Sequence, residues 1–142
     1  MSKHIFIFDT NTLLSAHLIK NSVSAKALDT ALNLGKIAIS ESTFAEFTEV
    51  IFRKKFDKYL TNDDRIQIIN KLAIEALSVS PQSKITDCRD EKDNKFLELA
   101  VEINATCIIT GDADLLVLNP YKNLEIISAA DFLEKYKSKL PS

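Results

Sequence analysis

Soft metal ligands are scarce in this chain. It has two cysteines, Cys88 and Cys107, too far apart for a CxxC pair, and two histidines, His4 and His17. That inventory argues against a structural zinc site. It supplies no disulfide framework either, so a reducing cytoplasm is the expected setting. Long apolar runs are missing, so no segment is expected to span or anchor in a membrane. The opening MSKHIFIFDTN lacks the long apolar core and cleavage site of a secretory signal. A basic excess is missing too: 18 lysines and arginines stand against 20 acids, for a net charge of -2. That balance neither demands nor excludes nucleic acid, whose contacts would fall to local patches. No repeat, low-complexity stretch or long linker divides the 142 residues, of which 46% are hydrophobic. One domain over 1–142 is expected, with its core at about 4–137.

What is present alternates between two periodicities. HIFIF at 4–8 is continuous, aromatic and β-branched, and predicts a buried strand. Asn11 and Thr12 lead into a helix through Leu13 and Leu14. A second helix is expected over 24–34, with Gly35 placed to end it. KIAIS at 36–40 reads as a strand, and Ser42 as the N-cap of a helix burying Phe44, Phe47, Ile51 and Phe52. Thr61 can cap another helix, with Ile66, Ile69, Leu72, Ala73, Ala76 and Leu77 as its apolar positions. The residues Leu77–Ser80 read either as its continuation or as a short strand before Pro81. KFLELAVEIN predicts a helix facing the core through Phe96, Leu97, Ala100 and Ile103. ATCIIT at 105–110 and LEIIS at 124–128 predict strands, separated by a short helix or turn in DADLLVLNPY. A last helix opens at Ser128 or Ala129 and runs through AADFLEKYKSKL. Strands alternating with helices argue for an α/β/α sandwich with a central, mainly parallel sheet.

Carboxylates stand where these elements start or stop. Asp9 follows FIF, and Asp112 follows CIIT and Gly111. In a parallel α/β domain both fall at the carboxyl ends of strands, where such folds bind ligands. Crowded carboxylates repel, and a divalent cation is the simplest compensation. The plain alternatives are local: Asp9 as a helix cap, Asp112 and Asp114 as a Gly-Asp turn, Asp90 and Asp93 as complements to a helix dipole. Glu46 lies between Phe44 and Phe47, and Glu49, three residues on, competes with it for one face; the sequence does not choose between them. Asn11, Thr10 and Thr110 could orient carboxylates, and Thr110 could equally satisfy local backbone. Lys20, Arg53, Lys54 and Arg89 are candidate phosphate contacts. Arg53, Lys54, Lys55 and Lys58 interleave with Phe52, Phe56 and Tyr59, although a solvated lysine face over core or interface phenylalanines is the favoured reading of that segment.

The ordered set resembles the PIN-domain family, in particular its branch of toxin-like bacterial and archaeal proteins. FDTNTLLSA is similar to the family's first motif and gives its first acid to Asp9; SESTFAEFTEV is similar to the second and gives its acid to Glu46. DCRDEKDNKFLELAVEINATCIITGDADLL is similar to the third and fourth motifs. It places Asp93 third, Asp90 as an accessory acid, and Asp112 and Asp114 last. LEIISAADFL looks like the closing strand and helix. Each motif is weak alone; their order and spacing carry the resemblance.

The resemblance implies a metal-dependent endoribonuclease cutting single-stranded RNA. Asp9, Glu46, Asp93, Asp112 and Asp114 would serve one or two Mg²⁺ or Mn²⁺ ions, which would activate water and stabilise the phosphate charge. It also implies a possible antitoxin partner and a possible homodimer. Two enzyme rivals fit less well. A dehalogenase-type phosphatase needs an aspartate where Asn11 stands, and a phospho-acceptor domain leaves Glu46 and Asp93 unexplained. A non-catalytic nucleic-acid-binding or protein-interaction domain stays open, as does DNA as substrate.

Overall fold

The computed structural model describes residues 4–137. Five strands form one parallel sheet: β1 (His4–Phe8), β2 (Gly35–Ile39), β3 (Leu77–Ser78), β4 (Cys107–Ile109) and β5 (Glu125–Ile127). Their order is β3-β2-β1-β4-β5, so the direction in which the chain crosses the sheet reverses between β1 and β4. Register pairs Phe8 with Ile109 across that junction. Both strands point their carboxyl ends at one crevice, the position where doubly wound sheets hold ligands.

Strand alternation divides the core in two. Phe6, Phe8, Ile37, Ile39, Cys107 and Ile109 face one way, beneath α1 (Thr10–Leu18), α2 (Val23–Leu34), α3 (Glu41–Ile51), α4 (Asn62–Glu75) and α7 (Ala129–Tyr136). Ile7, Ala38, Ile108 and Ile126 face the other way, against α5 (Asn94–Ile103) and α6 (Ala113–Leu116). Burial on both faces explains the unbroken apolar run of β1. The expected α/β sandwich with a parallel sheet is therefore observed, flanked by seven helices among the described residues. No described helix is long and apolar enough to cross a membrane.

Gly35 does more than end α2. Its N–H caps α2 through Ala31 O, and the same residue opens β2 beside His4. A Cβ there would lie 2.0 Å from His4 O, so the close strand approach requires glycine.

Several local expectations need correction. The N-cap of α3 is Ser40, not Ser42: Ser40 Oγ accepts from Thr43 N, and Thr43 Oγ1 accepts from Ser40 N. The strand therefore stops at Ile39, because Ser40 already belongs to the helix entrance. In α4 the inward stripe runs through Arg65, Ile68, Ile69 and Leu72 to the C-cap Ala76, leaving Ile66 and Ala73 exposed, and Leu77 opens β3 instead of continuing the helix. The arginine on that stripe is outside the apolar pattern. Its guanidinium donates to the carbonyls of Ile51, Leu60 and Arg53 and pairs with Asp57 at 2.9 Å, tying down the turn between α3 and α4. Phe52 is exposed rather than core, covered in part by that guanidinium, whereas Phe56 packs on the core. Asp90 caps and Asp93 ends a 3-10 turn at Glu91–Asp93, so the two do not share the first turn of α5. Residues 138–140 of the expected last helix lie outside the described residues.

Candidate metal centre

Asp9 is set by the end of β1 and the start of α1. Its N–H continues the β-ladder to Ile109 O at 3.2 Å, while Oδ1 caps α1 by accepting from Thr12 N at 2.9 Å. Capping thus uses one oxygen only. The other, Oδ2, accepts from the Thr110 hydroxyl at 2.5 Å. Thr110 is fully buried, and its Oγ1 also accepts from Asp112 N at 3.0 Å. One hydroxyl thereby holds the β1 acid to the turn carrying the β4 acid. Burial raises the Asp9 carboxyl above its ordinary range, against the lowering effect of the Thr110 and Thr12 hydrogen bonds; the Asp112 charge adds to the rise.

Asp93 closes the 3-10 turn before α5, and Asp90 caps that turn by accepting from Lys92 N. Carboxylate oxygens of Asp90, Asp93 and Asp112 lie within 4.8 Å of one another. Asp93 is 9% exposed, and its Oδ2 is buried with no hydrogen-bond partner among the described residues. Burial first, then the close carboxyl and charge of Asp112, then the charges of Asp90 and Asp9, push Asp93 up to about 7. An acceptor facing acceptors is stable with either a shared proton or a cation between them. All donors here are hard oxygens, the chemistry that suits Mg²⁺ or Mn²⁺. The orphaned Asp93 oxygen is therefore a fit for a divalent ion.

Glu46 reaches the same cleft from α3. Its two oxygens are already used: Oε1 accepts from the Thr10 hydroxyl, and Oε2 pairs with Lys95 Nζ at 3.0 Å. Glu49 points elsewhere, to an exposed pair with Arg53. The cleft is lined by Asp9, Thr10, Asn11, Glu46, Asp90, Asp93 and Asp112 with Lys92 and Arg53.

The remaining candidates are placed less centrally. Asp114 does not line the cleft; its N–H is held by Asp112 Oδ1, and its carboxylate faces Arg89 at 3.5 Å. Arg89 is thus beside the acidic turn, well exposed. Lys54 lies in the exposed turn after α3, away from the cleft lining. Lys20 follows the far end of α1, a helix of nine residues and so about 13 Å long, with Asp9 at its other end.

Two contributors do not show in the sequence pattern. Lys95 resembles one solvated lysine among many, since only the packing of α3 against α5 brings it to Glu46. Asn94 is buried and its Oδ1 accepts from Cys88 N at 2.8 Å, pinning the loop that carries Asp90. The sequence hint for Asn94 is a polar residue at the entrance of an apolar helix. Cys88 itself is buried in that otherwise polar loop.

Comparison with known proteins places the chain in a family and agrees with its fold. The uncharacterised protein MJ1680 of Methanocaldococcus jannaschii is 33% identical over 142 residues, covering 92% of this chain and 90% of that protein. The crystal structure of PAE2754 from Pyrobaculum aerophilum shares the fold, with a TM-score of 0.62 at 13% identity over 95% of this chain and 90% of that one. The family model described as PIN domain matches residues 6–114. This chain belongs to the PIN-domain family, whose members are typically metal-dependent nucleases.

Proposed function

We propose that the protein is a single-domain endoribonuclease that hydrolyses phosphodiester bonds of single-stranded RNA with Mg²⁺ or Mn²⁺. The observation that carries this reading is the buried, unpartnered Asp93 Oδ2 among the carboxylates of Asp90, Asp112 and Asp9.

Asp93, Asp112 and Asp90, with Asp9 beside them, would hold the ion, and Glu46 faces them across the cleft. A bound divalent ion supplies an activated water and charge to stabilise the phosphorane-like transition state. The protein groups do the rest. Thr110 fixes Asp9 and the Asp112 turn together, and Thr10 fixes Glu46. Arg53 and Lys92 line the cleft, where their positive charge can draw the RNA backbone toward an otherwise acidic surface. Arg65 holds the Arg53 carbonyl and so steadies that position.

An antitoxin partner or a homodimer belongs to the same proposal, on the family resemblance of the acidic motifs alone. Labelled single-stranded RNAs and matched DNAs, incubated with Mg²⁺, Mn²⁺ or EDTA beside Asp9→Asn, test the activity. Metal-dependent RNA cutting lost in the folded variant is expected. Equal cutting by both proteins would sink the proposal, and preferential DNA cutting would correct its substrate. Copurification with a small neighbouring-gene product and the mass in solution test the partners.

A further inference from the structure

Glu46 and Asp93 face each other across one cleft in opposite electrostatic conditions. Asp93 has a buried oxygen with no donor. Glu46 has both oxygens occupied, one by the Thr10 hydroxyl and one by the Lys95 ammonium. The ion pair is sheltered, with the Lys95 and Glu46 side chains 16% and 26% exposed. Lys95 is itself held in place: Nζ also donates to the Lys92 carbonyl, and it lies over the Phe96 ring at 5.4 Å from the centroid. Lysine has three N–H donors and no acceptor. Two of them are spent on Glu46 and Lys92, so the ammonium is held against Glu46 from behind the cleft lining.

A fixed ammonium at Glu46 changes the ion count. A second divalent ion there would have to displace Lys95 from Glu46 or sit within a few ångströms of its charge. The ammonium cancels much of what a single carboxylate, already shared with Thr10, would return to such an ion, leaving little to offset its dehydration. Among the described residues no lysine or arginine is paired with Asp93 or Asp9, and the carboxylates of Asp90, Asp93 and Asp112 gather there.

We infer that Lys95 takes the place of a second metal ion at Glu46, so that the site binds one divalent ion, on the Asp93 side, with the ammonium as the fixed positive charge of the other half. Lys95 is a positioning residue for Glu46. The inference rests on the metal-dependent reading of this cleft.

The test is Mn²⁺ binding to the full chain without RNA, followed by calorimetry and by the spin-resonance signal of free Mn²⁺. Wild type is expected to bind one ion. Glu46→Gln should keep that ion within about threefold in affinity, whereas Asp93→Asn should weaken it by at least about tenfold. Lys95→Met should acquire a second, weaker ion, and Lys95→Arg should stay at one. Lys95→Gln, checked for folding by circular dichroism, repeats the Met result should Met perturb the helix. Two ions in wild type, loss of the ion in Glu46→Gln, or one ion in folded Lys95→Met and Lys95→Gln would each overturn the inference while leaving a metal nuclease intact. No ion bound by wild type would overturn the metal reading itself, and this inference with it.

Discussion

The two walls of the cleft are assembled from the same residue type and reach opposite outcomes. On the α3 and α5 wall, Glu46 is neutralised by Lys95 and oriented by Thr10. On the wall made by β1, the turn before α5 and the turn after β4, Asp9, Asp90, Asp93 and Asp112 gather with no lysine or arginine paired to Asp93 or Asp9 among the described residues. The first wall resembles an ordinary part-buried ion pair. The second is costly as it stands, because the chain buries an acceptor it does not satisfy. Carboxylates become a binding site where their compensation is withheld.

Asp93→Asn should break that contrast most severely. Removing one charge and one hard ligand is expected to cut cleavage by at least about a hundredfold, measured as initial rate on a labelled RNA at saturating Mg²⁺. Stability should move the other way. In EDTA the folded state keeps a proton on Asp93 up to about 7, whereas an unfolded aspartate releases it near 3.8. Between those values the folded state binds more protons, so this residue's contribution to stability falls as pH rises. Asparagine removes the dependence. The thermal midpoint of Asp93→Asn in EDTA should exceed that of wild type at pH 8, on the order of 1 kcal/mol or more in stability, with the gap shrinking toward pH 5. A constant gap would show that Asp93 does not carry the raised carboxyl. The same proton must leave when an ion binds, so Mn²⁺ affinity should climb from pH 5.5 to about 7 and flatten above it, where Asp93 is already ionised.

Lys95→Met should do less, because it leaves the Asp93 wall whole. A fall in cleavage of about ten- to a hundredfold is expected, alongside the change in ion count, since Glu46 loses its orientation and the substrate loses a fixed charge. Activity equal to wild type would make the ion pair structural.

Much of this contrast is legible in the sequence, and the illegible part has a physical cause. β1, β4 and the acids behind them announce themselves because apolar runs end abruptly in aspartate. Glu46 and Glu49 are inseparable there, because one helical turn divides them and their choice is made by Thr10 and Lys95, 36 residues upstream in one case and on another helix in the other. The same limit hides Arg65: an arginine reads as a solvated residue until the carbonyls of the neighbouring turn converge on it. Ser42 competes with Ser40 as a cap because two serines and a threonine lie close together, and only backbone geometry shows which hydroxyl meets the N–H of Thr43. Sequence proximity is not spatial proximity at Lys20 either, since α1 lies between it and Asp9.

Thr110→Val tests how far the uncompensated wall depends on one hydroxyl. Valine keeps the shape in β-structure and deletes the donor to Asp9 and the acceptor for Asp112 N. Loss of a buried polar partnership of this kind costs about 1–3 kcal/mol, readable in urea unfolding. Mn²⁺ affinity should weaken by about tenfold, as expected for a group that orients ligands without touching the ion.

Glu49→Gln is the smallest effect and sets the baseline for Glu46→Gln. Glu49 on α3 and Arg53, just past its end, pair four residues apart at 3.1 Å, with side chains 63% and 52% exposed. Such pairs contribute within about 0.5 kcal/mol, and salt screens them. Glu49→Gln should leave stability and ion binding as they are, and it frees Arg53 at the mouth of the cleft, so RNA affinity should hold or rise slightly in a low-salt titration. Glu46→Gln, one turn away, strands the Lys95 ammonium between a neutral amide and the Lys92 carbonyl, so its cost in stability and in cleavage should be plainly larger. Equal behaviour of the two substitutions would mean that the Glu46–Lys95 pair is as loose as a surface pair, and the asymmetry between the two walls would collapse.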